Sequence, residues 1–201
     1  MSESDADTPQ EPSPGDFERI FNPYVIGNPI RGGEPFFGRE DDFDFVARRL
    51  EAERSGIVLL FAGARRSGKT SIMFQILDGR LGDEILPVFI DMQALSGIDG
   101  DAQMLGRMAR SVIEGVGDER LVVDYYDFDD GNPILTFDRL LADINQIFPD
   151  KRLLLLVDEA ELLRDKVSRN EISPALLTFM ASALESRKVS FFFTGSTGLA
   201  D

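Results

Sequence analysis

Eight consecutive residues, Gly63 to Thr70, set two glycines, a lysine and a hydroxyl at the spacing G-x-x-x-x-G-K-[ST]. A run of this kind curls its main-chain N–H groups around a phosphate, and a glycine at each end lets the backbone approach with no Cβ in the way. Within Gly63-Ala64-Arg65-Arg66-Ser67-Gly68-Lys69-Thr70-Ser71, Lys69 is placed to neutralise β- and γ-phosphate oxygens, and the Thr70 hydroxyl to ligate Mg²⁺. Arg65 and Arg66 would either assist γ-phosphate stabilisation or, the plainer alternative, put positive charge near a polyanion without a specific catalytic bond. The flanks suit the task. Ile57–Ala62 is an apolar strand run, and Ser71–Leu77 reads as a helix whose N-terminus adds partial positive charge. The expected ligand is a nucleotide triphosphate with Mg²⁺.

A second group of chemical residues follows another apolar run, Leu153-Leu154-Leu155-Leu156-Val157, which ends in Asp158-Glu159. Two carboxylates at a strand tip are what a Mg-nucleotide site needs opposite a phosphate loop. Asp158 would hold Mg²⁺ through water, and Glu159 would polarise the attacking water as general base. Taken alone, the pair also suits ordinary helix N-cap chemistry. The last apolar run ends in Thr194-Gly195-Ser196, where a hydroxyl would hold the lytic water or sense the γ-phosphate; a plain Ser/Thr turn is the alternative.

Composition limits the chemistry. The chain has no Cys and no His, so catalysis rests on carboxylates, Lys, Arg, hydroxyls and a hard cation held by oxygen. A formal charge of −15 argues against a broad nucleic-acid surface. No apolar run approaches the roughly 20 residues of a membrane helix, and the acidic start lacks the regions of a secretory signal. A cytoplasmic location is expected.

The elements that must position these residues alternate. Strands are expected at Ile57–Ala62, Leu86–Asp91, Arg152–Asp158 and Val189–Thr194, with helices at Lys69–Arg80, Asp101–Val116, Thr136–Phe148 and Pro174–Arg187. This order implies an α/β three-layer sandwich on a mainly parallel sheet with right-handed crossovers. Residues 1–16 read as a disordered acidic tail, residues 17–56 as an N-terminal segment with a helix over Arg39–Arg54, and residues 57–201 as the core. The stretch from Tyr125 to Asn132 reads as a solvated acidic loop anchored by a few rings, with a metal or partner role as the alternative.

Together these motifs resemble the ASCE branch of P-loop ATPases, in which an extra strand lies between the phosphate-loop strand and the strand bearing the paired acids. The chain is similar above all to the AAA+-like and STAND ATPases of bacteria and archaea. The Arg-Arg form of the loop, the upstream box Phe37-Gly38-Arg39-Glu40, the lead-in Asn22-Pro23-Tyr24-Val25-Ile26-Gly27-Asn28-Pro29 and the sensor-like Phe193-Thr194-Gly195-Ser196 carry that resemblance.

The resemblance implies ATP and Mg²⁺ as ligands, with Tyr24, Val25, Ile26, Gly38 and Arg39 beside the adenine. Core packing for Phe36-Phe37, and a surface ion pair for Arg39, are the plainer alternatives. It also implies a core incomplete before a last strand and helical lid, with an effector or sensor domain C-terminal to Asp201 and self-association through the ATPase domain. The activity implied is ATP hydrolysis driving a conformational change in a larger protein. The alternatives are a slow switch that works by nucleotide occupancy and, less favoured, a small-molecule kinase.

Overall fold

The computed structural model describes residues 38–53, 55–129, 131–186 and 188–197. The expected acidic tail, the lead-in with Tyr24, Val25 and Ile26, and Phe36-Phe37 lie outside these residues.

Helix α1 (Glu40–Ala52) precedes strand β1 (Val58–Ala62) and helix α2 (Lys69–Leu77). Strand β2 (Ile85–Asp91) leads to α3 (Asp101–Val116) and α4 (Pro133–Ile147). Then come β3 (Arg152–Asp158), α5 (Glu161–Ser168), α6 (Pro174–Glu185) and β4 (Ser190–Gly195). The four strands form one parallel sheet in the order β1-β4-β3-β2. Three-layer α/β architecture is therefore what the chain adopts.

Burial follows strand position. Leu153 to Val157 in β3 are all buried, because helices cover both faces of this inner strand. The similarly apolar β1 lies at one edge, where Val58 and Leu60 are exposed while Leu59 is buried. At the other edge β2 accommodates Pro87, which an inner strand would not tolerate because proline gives no ladder N–H.

The two faces hold separate cores. On one, Phe43, Val46 and Leu50 of α1 join Ile72, Met73 and Ile76 of α2 over Leu59, Leu154, Leu156 and Phe192. On the other, α3, α4, α5 and α6 cover Val88, Ile90, Leu155, Val157 and Phe191. Arg152 ties the first layer to the sheet: its Nη2 donates to the Glu53 carbonyl at 2.6 Å and its Nη1 to that of Leu50, closing the C-terminus of α1.

Three helix expectations need correction. Helix α4 starts at Pro133, ahead of Thr136, because the Asn132 side chain accepts from the Ile134 and Leu135 amides and Pro133 fits the first turn. Helix α2 stops at Leu77, where Asp78 bonds back to Phe74 and the chain turns. Helix α5 was not expected at all. It is two turns long and lacks a side-chain cap, and Lys166 anchors it by tertiary bonds to the Ile98 carbonyl at 2.6 Å and Glu171 at 2.8 Å.

The acidic loop keeps its rings as anchors. Tyr126 is buried and donates to Asp143 at 2.8 Å, and Phe128 packs against Gly106.

Candidate functional site

The C-terminal ends of β1, β3 and β4 meet at one edge of the sheet, and the loop from Gly63 to Gly68 lies across it. Gly68, the N-cap of α2, has φ +85, a left-handed conformation that a side chain would strain. No side chain caps α2, whose N-terminus follows directly on the loop. A Cβ on Gly63 would come to 3.0 Å of the Ser67 hydroxyl, which is buried and without a hydrogen-bond partner among the described residues. Lys69 Nζ spans the mouth, donating to the carbonyls of Gly63 at 2.9 Å and Ala64 at 2.8 Å. Arg65 and Arg66 are exposed, and Arg66 holds a left-handed φ of 64°. Ser71 is buried within α2.

The upstream box reaches this loop. Arg39 Nη2 donates to the Ser67 carbonyl at 2.8 Å, while Nη1 pairs with Asp42 at 2.9 Å. The surface ion pair considered for Arg39 is therefore present, together with a contact to the phosphate loop. Gly38 is exposed beside it.

At the tip of β3, separated from β1 by β4, Asp158 receives three donors. Thr70 Oγ1 donates to Oδ2 at 2.7 Å; the Thr194 hydroxyl and the Glu159 amide, at 3.0 Å, both donate to Oδ1. The two motifs are thus in direct contact. Thr194 is fully buried, and its hydroxyl lies between Asp158 and Met73 Sδ. Ser196 is exposed at the same edge.

Glu159 turns the corner from β3 toward α5 with φ 54. Burial raises its pKa above the ordinary carboxyl value. The charges of Asp158, Glu161 and Asp91 push the same way, and Arg65 opposes them.

Two residues here had not been marked from the sequence. Asp91 ends β2 in register with Asp158, and its carboxylate accepts from the Gln93 amide at 2.8 Å. Glu161, at the start of α5, accepts from the Ser196 amide at 3.0 Å. A carboxylate at a strand tip was the available signal for Asp91. The cross-strand reach of Glu161 had none.

The donor set suits Mg²⁺. One hydroxyl and one carboxylate meet at this edge, and among the described residues no three or more His, Cys, Asp or Glu side chains are placed to hold a metal ion by themselves. Magnesium takes one or two protein carboxylates and completes its shell with water and phosphate, so a larger cage is not needed. A cavity of about 410 Å³ lies away from this edge, lined by Leu50, Glu84 and Arg152 at the opposite ends of the strands. No helix among the described residues is long and apolar enough to cross a membrane.

No protein-family model and no curated protein sequence matches the chain. Among solved structures, the Walker-type ATPase PABY2304 of Pyrococcus abyssi is similar at a TM-score of 0.63 and 19% identity. The match covers 86% of this chain and 49% of that one, so the chain spans about half the length of its structural neighbour. The fold is that of a P-loop NTPase.

Proposed function

We propose that this chain binds Mg-ATP and hydrolyses it, as the nucleotide-driven part of a larger AAA+-like or STAND-type protein. The observation that carries this reading is the 2.7 Å bond from Thr70 to Asp158, which joins the phosphate loop to the acid pair with Glu159 next in line. The fold shared with a Walker-type ATPase supports it.

Binding would rest on the loop amides and on Lys69, whose ammonium lies at the mouth of the loop, close to incoming β- and γ-phosphate oxygens. Thr70 and Asp158 would hold Mg²⁺, which neutralises charge on the phosphates when bound. Glu159 would accept the proton of a water whose oxygen attacks the γ-phosphorus. The bond from that phosphorus to the β–γ bridging oxygen breaks, and ADP leaves. The raised pKa of Glu159 makes it a stronger base than a solvated carboxylate. Thr194 would orient Asp158 from behind. Adenine contacts by the lead-in, a C-terminal effector or sensor domain, and self-association belong to the same proposal.

Phosphate release and Mg-ATP calorimetry test it. Glu159→Gln should lose about 100-fold or more in turnover, the usual weight of a general base, and keep nucleotide affinity. Lys69→Ala should abolish tight binding. Phosphate release unchanged by Glu159→Gln would remove the residue from the chemistry.

A further inference from the structure

The tip of β4 is bonded both to the start of the phosphate loop and to the segment from Asp158 to Glu161 that follows β3. Gly195 O accepts from the Gly63 amide at 3.2 Å, and Thr194 O from the Ala160 amide at 2.9 Å. The Thr194 hydroxyl is on Asp158. The fourth bond comes from Glu161, whose Oε1 accepts from the Ser196 amide at 3.0 Å.

An acid in the first turn of a helix ordinarily complements that helix's own N-terminus. Glu161 reaches instead across to the next strand. Helix α5 has no side-chain cap, so the carboxylate is not satisfying its own helix's first amides in the usual way. Its second oxygen, Oε2, is buried without a hydrogen-bond partner among the described residues. Glu161 as a residue is only half-buried, yet leaving one carboxylate oxygen buried and unbonded costs stability, so the contact to Ser196 is not explained by stability alone.

We propose that Glu161 is a positioning residue that holds the Thr194-Gly195-Ser196 turn against the acid pair through the Ser196 amide. The inference rests on the ATPase reading for its effect on turnover, and not for the contact itself. With the turn fixed, the Ser196 hydroxyl and the Thr194–Asp158 contact keep one arrangement relative to the phosphate loop. Without it, the Ser196 amide loses that acceptor.

Two substitutions separate reach from charge. Glu161→Gln keeps an acceptor oxygen at the same distance; Glu161→Ala removes it. Glu161→Ala should lower turnover about tenfold or more, since small misplacement of a site is amplified in rate, with Mg-ATP affinity within about twofold of the parent. Glu161→Gln should stay within about threefold in turnover, because the hydrogen bond survives.

Amide exchange supplies a readout that needs no activity. Exchange at Ser196 should quicken about tenfold or more in Glu161→Ala and stay near the parent rate in Glu161→Gln. If the parent neither binds nor hydrolyses ATP, the functional reading falls alone and exchange still decides the role of Glu161. Ser196 exchange unchanged by Glu161→Ala overturns the proposal. So does a Glu161→Gln variant as impaired as Glu161→Ala, and so does equal loss of affinity and turnover.

Discussion

Arg39 and Ser67, 28 positions apart in sequence, are joined by a 2.8 Å hydrogen bond from guanidinium to carbonyl. The turn before α1 thereby holds the phosphate loop one residue before Gly68. The same guanidinium lies 5.8 Å from the Phe61 ring centroid and pairs with Asp42, so its plane is fixed on three sides. The box upstream of the loop is therefore a structural brace as well as a candidate base contact.

The first prediction concerns that brace. Removing a hydrogen bond donated by a charged group costs about 1.5–3 kcal/mol, and part of this should appear as loop disorder that ATP must then repay. Arg39→Ala should weaken Mg-ATP binding about tenfold by calorimetry. Arg39→Lys should rescue it poorly, because a single ammonium cannot serve Ser67 and Asp42 with a planar fork. Asp42→Asn should change affinity little, as the pair with Asp42 is about one-third exposed on both sides. An Arg39→Ala protein that binds like the parent would show the contact to be incidental.

Glu159 supplies a test that separates the site from the fold. Its φ of 54° costs a side chain about 1 kcal/mol, which glycine would not incur. Glycine in turn makes the unfolded chain more flexible by about the same amount. Glu159→Gly should therefore leave the urea unfolding free energy within about 1 kcal/mol of the parent while abolishing phosphate release. Marked destabilisation would mean that the carboxylate holds the corner together, and its assignment as base would lose its main support.

Much of this arrangement was readable from residue types. The loop, the strand before it and the Asp158-Glu159 tip are short local patterns, and β3 announced its double burial by its unbroken leucines. The edge position of β1 was not readable, because a run such as Val58 to Ala62 looks alike at an edge or in the middle. Helix α5 was hidden for a different reason. Two turns carry too little periodicity, and Lys166, which anchors the helix, reads locally as a surface charge. Glu161 was missed because its partner, Ser196, lies 35 positions away, just past the end of a strand whose neighbours depend on the sheet order. What sequence conveys here is local chemistry; what it withholds is which strands adjoin.

The anchor of α5 yields a pH prediction. Lys166 is nearly fully buried, and its Nζ donates to Glu171 Oε2 at 2.8 Å. The hydrogen bond from Lys166 lowers the pKa of Glu171 below its ordinary value; burial opposes the shift, and the charges of Lys166 and Arg169 add to it. The folded pKa lies below the unfolded one, so the unfolded chain takes up this proton first as pH falls. Stability from Glu171 is thus complete above the unfolded carboxyl pKa of about 4.3 and is lost as pH falls through the folded value. Glu171→Gln should be less stable than the parent near neutrality, and the difference should shrink in acid as the parent's carboxyl is protonated. Asp118, lowered to about 2 by its bonds from Arg120, loses its own contribution by the same linkage as pH falls, but equally in both proteins, so it cancels in the difference. Urea unfolding of both proteins between about pH 3 and 6 reads the difference directly. A gap that stays constant across that range would mean that Glu171 acts by shape, with its ion pair to Lys166 contributing nothing that titrates.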